Sequence, residues 1–373
     1  MRLVVLSHLS WNPRLFQRPQ QLALRFARLG DRVRYLSVEG FRTYIETDLR
    51  DRVHLPHERL AARMLPQFPG SWRFRAARAL TDGLLATQAR TAFAAAPDAG
   101  PRVLWLQHPR FLPAAERVAH DLLVYDCMDP HGAFANRDPL AAEFEERLLR
   151  RPGLLLFAGG ESLAASLRGR GAEPRCLPSG IDFDHFAAAA GPGPVPEELA
   201  ALPAPRLGYF GALDERIDWA LLDAVAEARP HWSIVLLGPL LGLDRVPARA
   251  RNIHHPGAVP YARLPEHLRA FDVALIPWKV DALTRFMSPT KTPEYLAGGR
   301  PVVSTPIPDV AALGDEAVFL ADGPEAFLDA CTKALLRKPG PPRRPASVRT
   351  WDETAAEMRA EINARTHEGD PSP

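Results

Sequence analysis

The sequence has few lysines and cysteines and no long apolar run. Only four of its 46 basic residues are lysine, at positions 279, 291, 333 and 338. The three cysteines, Cys127, Cys176 and Cys331, are far apart and not in metal-ligand spacing, so neither a disulfide framework nor a zinc site is expected. The first apolar run, 3–6, is too short for a signal peptide, and no run approaches the roughly 20 residues of a membrane span. These absences favour a cytoplasmic protein.

Two nucleotide-binding signatures are also missing or misplaced. Gly208 and Gly211 follow a predicted strand without completing G-x-G-x-x-G, which disfavours a dinucleotide site and hence an oxidoreductase or epimerase. Asp182 and Asp184 spell D-x-D, a metal-nucleotide signature elsewhere, but they lie in SGIDFDHF between the two halves of the chain. This segment is interpreted as a hinge turn. No metal and no cofactor are expected.

The 373 residues exceed what one hydrophobic core usually organises, which predicts two domains. Short apolar runs alternate with helical patterns along the whole chain, as in a parallel sheet covered by helices. The predicted fold class is α/β, with two such domains in tandem and a ligand cleft between them. Predicted strands lie at 33–38, 103–106, 122–125, 154–158, 207–213, 233–238, 252–257, 272–278, 301–305 and 317–321.

The predicted boundaries follow composition. A first domain spans 1–180, and a linker rich in Ala, Gly and Pro covers 181–205. The second domain covers 206–345, and a last amphipathic helix and tail cover 346–373. Residues 1–180 carry a net charge of +8 and residues 181–373 carry −6. The two halves therefore differ in the ligands that they attract.

An anion site is predicted in the segment 285–305, RFMSPTKTPEYLAGGRPVVST. Ser288 is suited to cap a helix, with Pro289, Thr290 and Lys291 as its first three residues. A lysine in a first helical turn is disfavoured by the helix dipole, so its presence indicates a bound phosphate. Lys291 and Glu294 lie on one helix face, where an ordinary surface ion pair is the alternative interpretation.

Six segments together resemble a known family, and their order and spacing match as well as their wording. They are QRPQQLALRFARLGDRVRYLS, LLVYDCMDP, CLPSGIDFDHF, LGYFGALDERIDWALL, NIHHPGAVPYARLPEHLRAFDVALIPW and SPTKTPEYLAGGRPVVST. The sequence resembles the glycogen-synthase-like superfamily of retaining GT-B glycosyltransferases, especially bacterial members that build cell-envelope polysaccharides. The resemblance implies two Rossmann-like domains facing a central cleft, with the last helix crossing back to the first domain.

The resemblance implies a UDP- or GDP-sugar donor bound by the second domain, as substrate rather than cofactor. Glu294 matches the residue that hydrogen-bonds the ribose hydroxyls, and Arg216, Arg285 and Lys291 are the candidate diphosphate cations. The family pattern is incomplete, because Phe286 and Ala212 stand where Glu and Arg are common. Donor-side candidates also include Ser288 and Thr290 at the helix start and, near the base, His255, Gly257, Val259 and Tyr261. His255 is as readily a structural loop residue.

On the acceptor side, His108, Asp126 and Asp129 follow predicted strands and are candidates for positioning a sugar. His108 is equally interpretable as a structural histidine. In retaining GT-B enzymes the leaving phosphate takes the proton of the acceptor hydroxyl. Positioning and charge stabilisation therefore carry most of the catalysis. A metal-independent hexosyltransferase is expected, with a non-catalytic nucleotide- or glycan-binding paralogue as the alternative.

The stretch 59–90 carries six arginines against one acid, interleaved with Met64, Leu65, Phe68, Trp72 and Phe74. This composition suits contact with an anionic membrane beside a lipid-linked acceptor, and a solvated basic helix face is the alternative. The expected partners are a nucleotide sugar and a glycan or lipid-linked acceptor, without nucleic acid. The inner face of the plasma membrane is a candidate location.

Overall fold

A computed structural model of the chain describes residues 1–12, 16–71, 73–95, 100–131 and 139–367. It divides into two compact units. Unit 1 combines Met1–Ser179 with Trp351–Pro373, and unit 2 is Gly180–Thr350. The final helix therefore belongs to the first unit, as the resemblance implies.

Unit 1 is built on an eight-stranded sheet within the described residues, ordered β3-β4-β2-β1-β5-β6-β7-β8. Neighbouring strands are parallel, except that β3 runs antiparallel to β4. The strands are β1 (Arg2–Ser7), β2 (Arg32–Gly40), β3 (Val53–His57), β4 (Leu60–Gln67), β5 (Arg102–Leu106), β6 (Leu122–Cys127), β7 (Leu155–Ala158) and β8 (Arg175–Cys176).

Helices cover this sheet, and the first and last of them share one core. Phe26 and Met358, from the two helices, are both fully buried in a cluster that includes Trp105 of β5. Arg359 also donates to Asp31 at 2.8 Å, which ties the last helix to the end of the first. The helices are α1 (Arg18–Arg28), α2 (Phe41–Glu46), α3 (Arg75–Ala94), α4 (Leu112–Ala115), α5 (Pro139–Leu149), α6 (Glu161–Gly169) and the C-terminal helix (Trp351–His367).

Unit 2 has a six-stranded parallel sheet ordered β11-β10-β9-β12-β13-β14. Its strands are almost wholly apolar at the centre, as expected where helices cover both faces. They are β9 (Arg206–Phe210), β10 (Ser233–Leu237), β11 (Ile253–Gly257), β12 (Val273–Ile276), β13 (Val302–Ser304) and β14 (Val318–Leu320). The helices are α7 (Phe183–Ala187), α8 (Glu197–Ala200), α9 (Trp219–Ala228), α10 (Leu264–Arg269), α11 (Lys291–Ala297), α12 (Pro308–Ala311) and α13 (Pro324–Arg337), and α14 is the C-terminal helix of unit 1.

The structure differs from expectation in two places. The segment 181–205 is not a linker but part of unit 2, because Phe186, Ala189 and Leu199 are fully buried in its core. The basic stretch 59–90 is not one helix face, since it contains strand β4 before α3 begins. Within the described residues, no helix is long and apolar enough to cross a membrane.

Candidate functional site

The sheet of unit 2 has a switch point between β9 and β12. The chain proceeds from β9 outward through β10 and β11, and then returns to start the other half of the sheet at β12. Ligands of open α/β sheets bind at the carboxyl ends of the strands that flank such a point. Gly211 follows β9 directly, and Trp278 lies two residues beyond β12. The polar residues that reach this edge are therefore the candidates for a binding site.

Lys291 crosses this edge over the backbone of Gly211. Gly211 has φ +136°, and a Cβ atom there would collide with the Lys291 side chain. The Lys291 Nζ atom lies 5.7 Å from the ring centroids of both Tyr209 and Trp278, within cation–π distance. The absence of a side chain at position 211 thus gives the lysine its path.

Arg216 brings a second cation to the same ring. Its guanidinium lies 5.1 Å from the Trp278 centroid, and its Nε donates to Asp214 at 2.9 Å. Lys291, in contrast, has no carboxylate within ion-pairing distance among the described residues. Burial and repulsion by Arg216 together lower the pKa of Lys291 to about 8, against the attraction of Glu294 and Asp214. An anion bound here would relieve that repulsion.

Glu294 lies one turn along α11 and is only 8% exposed. Its carboxylate has no hydrogen-bond or ion-pair partner among the described residues. Burial raises the pKa of Glu294 to about 8, with Asp182 contributing in the same direction and Lys291 opposing it. The alternative of an exposed ion pair between Lys291 and Glu294 is therefore wrong. A buried carboxylate without a partner is costly unless a ligand supplies donors.

The predicted start of this helix is also wrong. Helix α11 begins at Lys291 with Thr290 at the N-cap, and no side chain caps it. Ser288 precedes the helix by three residues and does not cap it. The Pro289 carbonyl still accepts from the Thr292 N–H at 3.3 Å, so the turn that Pro289 begins is irregular rather than α-helical.

Arg285 lies on a 3₁₀ turn, Thr284–Phe286, and is exposed. Its guanidinium lies 4.8 Å from the ring centroid of Phe286. No hydrogen bond or ion pair within the described residues joins Arg285 to Lys291, Arg216 or Glu294. The structure thus brings Lys291 and Arg216 together at Trp278, whereas Arg285 contacts the ring of Phe286.

The residues after β10 and β11 form the neighbouring part of the same sheet edge. His255 Nε2 lies 2.8 Å from the Gly238 carbonyl oxygen, and the Gly238 N–H donates to the Gly257 carbonyl at 2.9 Å. His255 is therefore engaged with the backbone, in line with its structural interpretation. Val259 is half-buried against the unit 2 core.

Tyr261 forms an aromatic shelf with residues of α7. The His185 ring stacks on it at 4.8 Å with an interplanar angle of 15°, and Phe186 meets it edge-on at 5.8 Å. Asp182, which immediately precedes α7, raises the pKa of Glu294 and therefore faces the same region. The predicted hinge turn is thus a fixed part of the wall beside Glu294.

In unit 1, Asp126 cannot contact a substrate, which corrects the prediction made for it. The carboxylate is fully buried and accepts from Arg18 through two atoms, Nε at 2.9 Å and Nη2 at 2.8 Å. Gln107 Nε2 donates to it at 3.3 Å. Asp126 therefore fixes α1 to the end of β6 and serves the fold.

His108 lies at the switch point of unit 1, between β1 and β5. Its ring centroid is 5.2 Å from that of His8, which follows β1, and 4.3 Å from that of His131. Burial and the neighbouring His131 and His8 hold the pKa of His108 well below its usual value. The Arg110 N–H donates to His108 Nδ1 at 3.1 Å, so the neutral ring carries its proton on Nε2. That N–H can donate to a sugar oxygen.

Asp129 is half-buried in the loop after β6. Burial lowers the pKa of His8, and the charge of Asp129 opposes this effect. Sequence reasoning did not select His8, His131 or Trp278. Each follows a parallel strand, as His108 does. His8 ends the apolar run RLVVLSH and Trp278 ends DVALIPW, so their places at strand ends could have been read from the sequence. Within the described residues there is no cluster of three or more His, Cys, Asp or Glu side chains that could hold a metal ion.

Comparison with known proteins agrees with this architecture. Residues 204–337 match the family model of the group 1 glycosyl transferases. A Bacillus subtilis protein named "Putative teichuronic acid biosynthesis glycosyltransferase TuaH" is 24% identical over 284 residues, which cover 71% of this chain and 68% of that protein.

Two solved structures share the fold over almost the whole length. Sucrose-phosphate synthase from Thermosynechococcus elongatus aligns with a TM-score of 0.68 at 16% identity, covering 98% of this chain and 96% of that one. Anabaena HepE in complex with UDP and glucose aligns with a TM-score of 0.60 at 14% identity, covering 98% and 97%. The chain therefore has the GT-B fold of these structures, and its residues 204–337 are similar to the group 1 glycosyl transferases.

Proposed function

We propose that the chain transfers a hexose from a UDP-sugar to a glycan or lipid-linked acceptor, with retention and without a metal ion. Binding of the nucleotide-sugar donor is supported by the arrangement of side chains at the unit 2 switch point. Lys291 and Arg216 lie over one indole ring, and the buried carboxylate of Glu294 has no partner one turn away. Two cations beside a carboxylate suit a ribose diphosphate, because the cations can bind the diphosphate and the carboxylate can accept from the ribose hydroxyls.

In this proposal the diphosphate lies against Lys291 and Arg216, and the ribose hydroxyls donate to Glu294. Charge that develops on the leaving diphosphate is stabilised by cations already in place, which is commonly a large term in catalysis. UDP is favoured over GDP because Anabaena HepE, a protein of the same fold, is described in complex with UDP and with UDP-glucose. The base would lie toward Gly257 and Tyr261, where the stacked rings offer an apolar surface.

The proposed transfer follows the retaining scheme of the resembling family. The bond from the sugar C1 to the diphosphate oxygen breaks, and its electron pair goes to that oxygen. The acceptor hydroxyl oxygen bonds to C1 on the face that the diphosphate leaves, and its proton passes to a phosphate oxygen. His108, through its Nε2–H, would hold a sugar hydroxyl during this step, and no protein nucleophile is required.

A thermal-shift panel of UDP, GDP, ADP and dTDP on the full chain tests the donor site. UDP is expected to raise the melting temperature most, and the shift is expected to be lost in Lys291→Ala and Glu294→Gln. Lys333→Ala and Glu325→Gln, which alter exposed residues of α13, serve as matched controls. No stabilisation by any of the four nucleotides would overturn the proposal.

A non-catalytic paralogue is the second candidate, favoured by Phe286 and Ala212. Neither residue can supply the carboxylate or guanidinium common in the family, and Arg285 lies over Phe286 rather than beside the other cations. This candidate predicts nucleotide binding without turnover. Release of UDP from UDP-sugars by the wild-type chain, abolished in Lys291→Ala, would exclude it.

Contact with an anionic membrane remains part of the proposal, with a revised surface. Of the apolar residues predicted in 59–90, Leu65 is buried and Phe74 is exposed, while Trp72 lies outside the described residues. Other large apolar side chains are exposed nearby in sequence, together with Arg42, Arg50 and Arg73. They are Phe41, Ile45, Leu49, Val53, Leu55 and Leu80.

Exposed apolar side chains among arginines suit the interface of an anionic bilayer. Sedimentation with vesicles of anionic lipid is expected to carry the chain down at low salt, with release at high salt. Sedimentation with zwitterionic vesicles alone serves as the control. Equal behaviour with both vesicle types would contradict the membrane contact and leave the donor site unaffected.

A further inference from the structure

Unit 1 contains a cavity of about 370 Å³ at the carboxyl ends of β1, β2, β4 and β5. Helices α3 and α5 form part of its wall, and its size falls within the range of small-molecule sites, about 300–1,000 Å³. His8 and His108 line it, so it adjoins the switch point of this unit. A ligand in the cavity would contact His108, whose Nε2–H can donate to a sugar oxygen.

Asp82 of α3 lines this cavity and is only 6% exposed. No hydrogen bond or ion pair engages its carboxylate within the described part of the chain. Burial raises the pKa of Asp82 to about 6, against the attraction of Arg117 and Arg78. A carboxylate in this state destabilises the empty protein, and hydrogen-bond donors on a ligand would remove that cost.

Ser71 provides a second, independent sign of a ligand. It also lines the cavity, is 4% exposed, and its hydroxyl has no hydrogen-bond partner in the described residues. Buried polar atoms in native proteins are nearly always paired, so an orphan that faces a cavity points to an absent partner. Glu39, on the cavity wall, already accepts from Ser10 at 2.9 Å and keeps further acceptor capacity.

The other side chains that line the cavity determine which class of ligand it can bind. Val38, Leu85, Phe111 and Phe144 are apolar and offer a surface for C–H groups. The charged side chains on the wall are the carboxylates Glu39 and Asp82 and the cations Arg78 and Arg110, so neither sign dominates. Balanced charge, carboxylate acceptors and an apolar wall suit a molecule with many hydroxyls and no net charge.

We propose that this cavity binds the acceptor as an uncharged pyranose residue, whose hydroxyls donate to Asp82 and Glu39 while Ser71 completes the contact. The inference rests on the proposed transfer function, because it names the acceptor of that reaction. The net charge of +8 on residues 1–180 would by itself favour an anionic group on the acceptor. Any such anion would lie outside this cavity.

The test is saturation-transfer NMR on the full chain saturated with UDP. The probes are the methyl glycosides of glucose, galactose, mannose and N-acetylglucosamine, with glucuronate and methyl phosphate as anionic probes. At least one uncharged glycoside is expected to bind. Asp82→Asn is expected to weaken it roughly tenfold or more, the effect of losing a charge-assisted hydrogen bond. Glu143→Gln, at an exposed position of α5, is the matched control and should change nothing.

A pH series separates this role from a structural one. Asp82 accepts two hydrogen bonds only as a carboxylate, so glycoside binding should strengthen as the pH rises through about 6 in the wild type. It should not do so in Asp82→Asn. The charged and titratable groups facing Asp82 are Arg78 and Arg117, and Glu39, His8, His108 and Arg110 share the cavity. The contributions of these groups are present in both the wild type and Asp82→Asn. The difference between the two pH series therefore isolates the contribution of Asp82.

The outcomes distinguish this inference from the function on which it rests. Tighter binding of glucuronate or methyl phosphate than of every glycoside would overturn it, as would glycoside affinity equal in wild type and Asp82→Asn. If UDP binds and no glycoside does, the acceptor inference is wrong and the donor site stands. If UDP itself fails to bind, the proposed function is wrong.

Discussion

The side chain of Lys291 occupies the space that a Cβ atom would fill at Gly211. Two residues 80 positions apart in the chain thus depend on each other, because the lysine reaches Trp278 only over a bare backbone. The absence of a side chain at Gly211 therefore determines where the Lys291 ammonium group lies.

Gly211→Ala is therefore expected to displace Lys291 and to weaken UDP binding by about tenfold or more, as expected for loss of a charge-assisted contact. Gly242→Ala is the matched control, because Gly242 also has positive φ, +69°, but no neighbouring atom lies within 4 Å of the place that its Cβ would take. Both variants carry backbone strain, and only the first moves the lysine. Calorimetric titration with UDP measures the difference, and equal affinity in the two variants would contradict it.

Glu294→Gln is expected to stabilise the protein without nucleotide while weakening its binding of UDP. The folded pKa of Glu294, about 8, lies above its ordinary value, so the folded state prefers the protonated form. Stability from this group is complete at acid pH and is lost as the pH rises toward 8. The gain in melting temperature of the variant should therefore be small near pH 5 and largest near pH 8.

Melting curves at several pH values, with Glu325→Gln as the exposed control, measure this effect. A glutamine that destabilises the protein at pH 8 would show that Glu294 has a structural partner. The paired gain in stability and loss of binding is characteristic of groups that are held for function.

The affinity for UDP is expected to fall as the pH rises through about 8 in the wild type. Lys291, with its pKa lowered to about 8, loses its charge in this interval, which removes a cation from the diphosphate. The charge of the diphosphate itself does not change, since a phosphate completes its second ionisation near pH 6. Titration calorimetry at pH 7 and 9 measures the fall. A fall of the same size in Lys291→Ala would remove the lysine from this explanation.

Asp126→Asn is expected to act through stability. Removing one partner of a buried ion pair costs about 3–5 kcal/mol of the free energy of unfolding, since Arg18 keeps an uncompensated charge. Asp121→Asn, which breaks the half-exposed pair with Arg102, should cost about 0–1 kcal/mol. Denaturant unfolding compares the two variants. A stable Asp126→Asn protein that binds UDP and transfers no sugar would restore Asp126 as a catalytic residue.

Most of the fold could be predicted from periodicity. The strand predicted at 33–38 is observed as Arg32–Gly40, and the strand predicted at 122–125 is observed as Leu122–Cys127. Strand β3 escaped prediction because it is short and contains Pro56, and β4 because Arg63 interrupts its apolar residues. The buried part of 181–205 escaped because alanine-rich segments resemble linkers in composition, while Ile181, Phe186, Ala189 and Leu199 pack in the core.

The candidate site was only partly predictable. Lys291 and Glu294 stood out because lysine is rare in this chain and the spacing places both on one helix face. Asp126 was selected for its place after a strand, and nothing local marked Arg18, 108 positions away, as its partner. Pairing across such a separation is a property of the packed fold. Asp82 and Ser71 could not be selected from the sequence either, because only their burial without a partner in the described residues marks them.

Calorimetric titration of the full chain with UDP tests the central claim most directly, that Lys291 and Glu294 hold a nucleoside diphosphate in unit 2. We expect saturable binding by the wild type, affinity lower by about tenfold or more in Lys291→Ala and in Glu294→Gln, and unchanged affinity in Lys333→Ala and Glu325→Gln. Wild-type affinity in both site variants, or no binding of UDP by the wild type, would contradict it.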